Sequence, residues 1–452
     1  MNKPLLLALL PFVLGHTAAA LAAEPVSLQD ALAQTYRTNP SLQAQRAKLR
    51  ATDEQVAIAK SGWRPSIEGT AGVGKSDQVL ASGGAFTGSG TLTPRDAGLT
   101  VTQPVFQGFR TVASVDAATA QVSAAEAAFE GFEQNLLLAA ANTYLDVVET
   151  RTVLDLTTHN EEVMTQQLDA TRARFNSGEV TKTDISQAEA RLSVAKALRI
   201  QAQGGLTIAQ AAYTRLIGEA PATLAQPDLS LDEVKTEEDV LALAAKANPA
   251  IVAATFAEDS AKANVTATKG SLLPEVNLVA SATRGWDQSL MIPNRQDAST
   301  IMARVTIPLY RSGADYARTR AAQETAVASR LELEDARAQT KQAAITAWQS
   351  LATARAAIKA HEAAVEAMQL ALQGVRVEAE VGQRTTLDIL DAEQELLGAK
   401  VNLVKARHDE ALAILQVKAA AGLLTARALR LPVDLADEKA RAAAIGKQWI
   451  GF

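Results

Sequence analysis

The sequence predicts a mainly α-helical protein that carries strands of a membrane β-barrel, with every part written twice. Three observations predict this. The chain repeats itself, its helical stretches have matched lengths, and each copy holds a pair of runs with strand periodicity. The repeat is clear in the residues: Asn39-Pro40 recurs as Asn248-Pro249 and Pro65 as Pro274, 209 residues later. Beyond that the spacing becomes 204, pairing Pro104 with Pro308, Gly178 with Gly382 and Gly218 with Gly422. The five-residue difference falls beside GGAFTGSG, a loop by composition.

In order along the first copy, 23–222, a helical stretch covers about Ser27 to Gly62. Two strands lie within about 66–105, in runs from Ser66 to about Leu80 and from about Arg95 to Val105. A long helix covers 106–177 and a shorter one 182–218. The second copy, 223–433, gives a helix over 236–270, two strands within 274–308, a long helix over 310–380 and a shorter one over 384–422. The first long helix has 72 residues and its two shorter companions together 73; the second copy gives 71 and 74. Two short helices stacked end to end would thus flank each long one, over roughly 105–110 Å at about 1.5 Å per residue. Ala347, Leu351, Ala354, Ile358, His361, Val365, Met368, Leu372 and Val375 step by fours and threes. That 3.5-residue period marks left-handed coiled-coil packing.

The strand runs have period two. Ile301, Ala303, Val305 and Ile307 alternate with Met302, Arg304 and Thr306, and Leu99 and Val101 with Thr100 and Thr102. Trp63, Phe106, Phe109 and Tyr310 lie on the helix side, and Phe86 and Trp286 towards the loops, as in a girdle at a membrane interface. Four strands cannot close a barrel, so membrane strands here require several chains to share one.

Residues 1–22 have Lys3, an apolar run from Leu5 to Leu14 and the small-residue site Ala20-Leu21-Ala22, the pattern of a cleaved export signal. The run is too short to span a bilayer, and no later stretch approaches 18 apolar residues. With 452 residues, net charge −6 and pI near 5.5, the composition argues against nucleic-acid binding. The lack of cysteine excludes disulfides, thiolate metal sites and a lipid-anchored cysteine.

Two motifs imitate chemistry. GTAGVGKS at 69–76 fits the nucleotide phosphate loop, but a strand and a glycine-rich loop follow it where a helix is needed. The repeat has no counterpart, so no nucleotide partner is expected. Ser193-Val-Ala-Lys196 sits mid-helix without the motifs that accompany S-x-x-K. His16, His159, His361 and His408 show no ligand spacing, so the sequence points to no metal, no cofactor and no enzyme.

On TNP and ANP, QPVFQGFRT, IPLYRSG, RFNSGEVTKTDISQAEARL and VGQRTTLDILDAEQELL, the chain resembles the TolC-like outer-membrane channels of Gram-negative efflux and type I secretion systems. The resemblance covers about Val26 to Leu424. It implies a homotrimer whose 12-stranded barrel in the outer membrane continues into a periplasmic tunnel of helices. Pro221 to Asp232 and Thr425 to Val433 would girdle that tunnel, and 434–452 would form a charged tail. The implied function is a passive exit duct for protein or small-molecule cargo, served by a periplasmic adaptor and an inner-membrane pump of ABC or RND type. An adaptor-like coiled-coil protein is the alternative, but it would carry one hairpin, not two. By the resemblance, Gly178 and Gly382 turn the chain at the closed end. Asp388 and Asp391 line the constriction as acidic rings, and Asp184 and Arg384 latch neighbouring helices. The family's assisting aromatic is replaced by Ala379.

Overall fold

The computed structural model describes residues 25–82, 85–231, 234–290 and 295–434. The expected export signal and nearly all of the expected tail lie outside the described residues. Each repeat opens with two helices where one was expected: α1 (Leu28–Thr38) and α2 (Pro40–Ser61) in the first, α5 (Glu237–Ala247) and α6 (Pro249–Gly270) in the second. The break is made by the Asn-Pro pairs. Asn39 leaves the helical backbone (φ −66°, ψ 120°), and its side-chain oxygen accepts from the amides of Ser41 and Leu42. Proline then takes the first helical position, where its missing N–H costs nothing. Asn248 does the same for α6.

The strands are β1 (Ser66–Val73), β2 (Ser76–Ser82), β3 (Ala85–Leu92), β4 (Arg95–Gln107), β5 (Glu275–Trp286) and β6 (Arg295–Thr306). The Gly/Ser-rich segment read as a loop is instead largely strand. β3 pairs antiparallel with β2 from Ser76↔Leu92 to Ser82↔Ala85, prolonging the β1–β4 hairpin through a break at Gly74 and Pro94. Small residues hid this strand, because backbone pairing along a hairpin needs no side-chain signal.

Four strands form one antiparallel sheet in the order β1-β4-β5-β6, leaving β1 and β6 as open edges. The register sorts its two faces. Ile67, Val101, Ala280 and Ile301 stand in one cross-strand row, and Leu278 with Ala303 and Val276 with Val305 continue that apolar face. The opposite face carries the rows Glu68, Thr100, Ser281, Thr300 and Asn277 with Arg304. The apolar face is bare in the single chain: Ile67 is 67% exposed, Ile301 77% and Val305 58%. At the helical end of the sheet Trp63, Phe109 and Tyr310 are also exposed, and Phe109 packs edge-on against Phe106 at 5.3 Å.

The long helices α3 (Arg110–Asn176) and α7 (Ala314–Glu380) have 67 residues each, close to 100 Å at about 1.5 Å per residue. Both start four residues later than expected. Before α3, β4 runs on to Gln107, and Gly108 and Phe109 turn the chain through left-handed conformations. Ser312 and Gly313 do so before α7. At Gly108 a side chain is also excluded by space, since a Cβ would lie 2.3 Å from the carbonyl oxygen of Gly270. The shorter helices α4 (Lys182–Ile217) and α8 (Thr386–Ala420) pack back along α3 and α7. Thus α2 and α4 flank α3, and α6 and α8 flank α7, as the matched lengths predict.

The Asn-Pro corners lock these stacks. Asn39 Nδ2 donates to the carbonyl of Leu216 near the end of α4, and Asn248 Nδ2 to that of Ala420 at the end of α8. One side chain thereby caps one helix at its start and another at its end. The largest core cluster gathers here, from α1, mid-α3, the end of α4 and residues 424–431. Buried Tyr144 of α3 donates its hydroxyl to the carbonyl of Ala225 at 2.6 Å, with the carbonyl oxygen of Val26 also 2.8 Å away. Part of Pro221–Asp232 and Thr425–Val433 is therefore tied to the middle of the helices, while Asp232 itself lies outside the described residues.

The stretch Glu237–Gly270 is long and apolar enough to cross a membrane by composition. It holds the helix break at Asn248, and α6 packs along α3 and α7. Val240, Ala244, Ile251 and Ala261 of that stretch are buried.

Candidate functional site

The far ends of the two hairpins carry the sequence-predicted residues. Gly178 (φ +83°) and Gly382 (φ +78°) adopt left-handed conformations that end α3 and α7, with open space around both. Each turn then starts the next helix with the same device. The backbone N–H and hydroxyl of Thr181 both donate to Asp184 Oδ2 at 2.7 Å, and those of Thr385 to Asp388 Oδ2 at 2.8 Å. These are capping boxes. The hydroxyl and amide of Thr181 hold the Asp184 carboxyl below its ordinary range, and the amide and hydroxyl of Thr385 do so for Asp388.

A second shared device ties each hairpin together. Arg172 of α3 pairs with Glu189 of α4 at 2.9 Å, and the repeat equivalents Arg376 and Glu393 pair between α7 and α8. Behind them Met164, Leu168, Ala188, Leu192 and Ala195 form one apolar seam, which Leu390 of α8 enters. Leu372, Ala379, Ile389 and Leu396 form the other. Ala379, at the position of the family aromatic, is buried in that seam.

The proposed latch residues do not meet within the chain. Arg384 Nε donates to Glu378 Oε2 at 2.9 Å and its guanidinium lies 4.0 Å from Asp388. The Glu378 carboxylate raises the Arg384 pKa further. Among the described residues no ion pair joins Arg384 to Asp184, whose carboxylate accepts from the N-cap Thr181 of α4. Asp388 and Asp391 are three residues apart on α8 and so share a face, with Arg384 in the turn just before that helix. The two aspartates differ in partner: Asp388 keeps Oδ1 towards Arg384, whereas Asp391 Oδ1 accepts from Arg191 of α4. Sequence reasoning missed Arg191. Its counterpart in the repeat is Glu395, so the repeat offered no pair to match.

Each hairpin thus presents a turn at its tip and a charged face just beyond, on a rod about 100 Å from the sheet. Such a face can attract or repel ions, but it shows no nucleophile held by a base.

Comparisons with known proteins agree with this architecture. The family model described as outer membrane efflux protein matches residues 29–219 and 240–423, one segment in each repeat. The outer membrane efflux protein BepC of Brucella suis is 33% identical over 438 residues, covering 97% of this chain and 94% of that protein. The outer membrane protein TolC of Vibrio cholerae is 27% identical, covering 94% of this chain and 96% of its own length. In fold, the chain is similar to the crystal structure of the outer membrane protein VceC from Vibrio cholerae. The TM-score is 0.76 at 20% identity, over 87% of this chain and 96% of that one. With both repeats matched and the BepC likeness running nearly end to end, the chain belongs to the outer membrane efflux protein family, whose members are outer-membrane channels.

Proposed function

We propose that three copies of this chain assemble into one conduit, an exit duct through the outer membrane for efflux or type I secretion. The observation that carries the reading is the sheet. It has four strands, two open edges and a bare apolar face, mounted on helices about 100 Å long. Open edges leave backbone groups unpaired, which a bilayer does not tolerate, so the strands must close with other copies. Three copies give twelve strands, within the range of membrane barrels, with Ile301 and Val305 towards lipid and Thr300 and Arg304 towards water.

On this reading the helices continue the barrel as a periplasmic tunnel, and the faces bearing Asp388 and Asp391 form its constriction. The channel is passive and catalyses nothing. Energy and cargo choice come from an inner-membrane pump joined through a periplasmic adaptor at the helical tip. Native mass spectrometry of protein extracted from outer membranes tests the assembly. A species of three chains supports the reading. A monomer released without detergent would remove it and favour a soluble coiled-coil protein.

A further inference from the structure

Midway along the helices, three residues that the sequence keeps far apart converge. His408 of α8 faces α3 with Nε2 3.0 Å from Asp146 Oδ1, and Nδ1 lies 3.8 Å from Glu149 Oε2. One ligand-capable atom from each of the three lies within 4.8 Å of the others, and all three residues are half-buried. We propose that Asp146, Glu149 and His408 form a binding site for a divalent transition cation of the Zn²⁺ class, pinning α8 to α3.

The donor set fits. One imidazole and two carboxylates suit Zn²⁺ and its neighbours, and tetrahedral ligands at about 2.0–2.1 Å stand roughly 3.3 Å apart. The His408–Asp146 spacing is already near that value, and Glu149 offers a carboxylate oxygen within 4.8 Å of both. Two of the three residues also have outer partners that orient them. Asn142 Nδ2 donates to the second oxygen of Asp146 at 3.0 Å, and Asp409 lies 3.4 Å from His408 Nδ1, leaving Nε2 for a metal. Metal-binding histidines and carboxylates are typically held in this way.

Access and charge support the same conclusion. His408 and Glu149 line a cavity of 440 Å³ between α3, α7, α8 and residues 226–229. The other charges of its helical walls are paired with each other, Arg355 with Glu410 and Arg407 with Glu362, both at 3.2 Å. Glu149 has no hydrogen bond to another described residue; Lys405 is the lysine close enough to act on it. Helix packing does not demand the cluster, since the positions 204 residues away hold Ser350, Thr353 and Gly204.

The test uses the full assembled protein, stripped with chelator and titrated with Zn²⁺ by calorimetry. One Zn²⁺ per chain is expected, with binding weakened at least tenfold in His408→Ala and in Glu149→Gln and unchanged in His361→Ala. Co²⁺ should give a visible absorption band that His408→Ala abolishes. If His408→Ala fails to assemble, Glu149→Gln and the Co²⁺ spectrum of the parent decide. A parent that binds Zn²⁺ no better than Glu149→Gln, or shows no Co²⁺ band, would overturn the site and leave His408 as an ion-pair link between helices.

Discussion

Arg191 of α4 pairs with Asp391 of α8, linking the two shorter helices across 200 residues of sequence at the end furthest from the sheet. Within the chain this contact partly neutralises one of the two aspartates assigned to the constriction. Both side chains are more than a third exposed, so the pair contributes only about 0–1 kcal/mol per chain. Arg191→Ser therefore has a two-part outcome. It frees Asp391, raising cation selectivity, and it loosens α4 from α8, raising single-channel conductance in planar bilayers. Unchanged selectivity would mean that Asp391 does not face the ion path.

The sheet register makes neighbouring residues behave differently. Val305 continues the apolar face and Thr306 stands opposite Glu275 on the polar one. Val305→Arg places a charge towards lipid, a cost of about 2–4 kcal/mol at mid-depth, and is expected to cut the amount of protein inserted in outer membranes. Thr306→Arg should insert nearly as the parent does. Equal loss in both variants would reject the assignment of faces.

The corner residue Asn39 is 5% exposed and serves two helices, whereas Asn248 is half-buried. Asn39→Ala removes the cap of α2 and the donor to Leu216, a loss of about 2 kcal/mol if the capping and hydrogen-bond contributions add. Asn248→Ala should cost less. The check is the temperature at which the assembly dissociates, with Asn39→Ala the lower of the two.

The capping boxes give a pH dependence of known sign. Asp184 and Asp388 have folded-state pKa values below the ordinary aspartate value of 3.8. Their contribution is thus fully present above that value and is lost as pH falls through the lower folded values. Hydrogen-exchange protection of the Thr181 and Thr385 amides should stay level from neutral pH to about pH 5, since a depressed carboxylate remains charged there. Loss of protection already near pH 5 would show that the carboxylates do not hold these amides.

Much of this architecture was legible because it rests on local chemistry written twice. Glycine turns, 3.5-residue seams and alternating strands each leave a short-range mark that the repeat confirms, whereas the Asn-Pro pairs recur in the sequence but the helix breaks they make were not foreseen. What stayed hidden depends on contacts between distant elements. The β3 strand is built from small residues whose pairing is all backbone. Arg191–Asp391 and His408–Asp146 join residues whose counterparts in the repeat are Glu395 and Gln187, and Gly204 and Ser350, so neither pair occurs twice. Asp184 and Arg384 lie at the expected tip, yet within one chain each is engaged by its own turn.

On the proposed function, these chains form a water-filled duct whose narrowest part is lined by Asp388 and Asp391. The most direct measurement is the reversal potential of single channels of Asp388→Ala with Asp391→Ala in planar bilayers under a salt gradient, with trivalent cations added on the periplasmic side. The double variant is expected to lose most of the parent's cation selectivity and to be no longer blocked. Parent-like selectivity and block in that variant would contradict that reading.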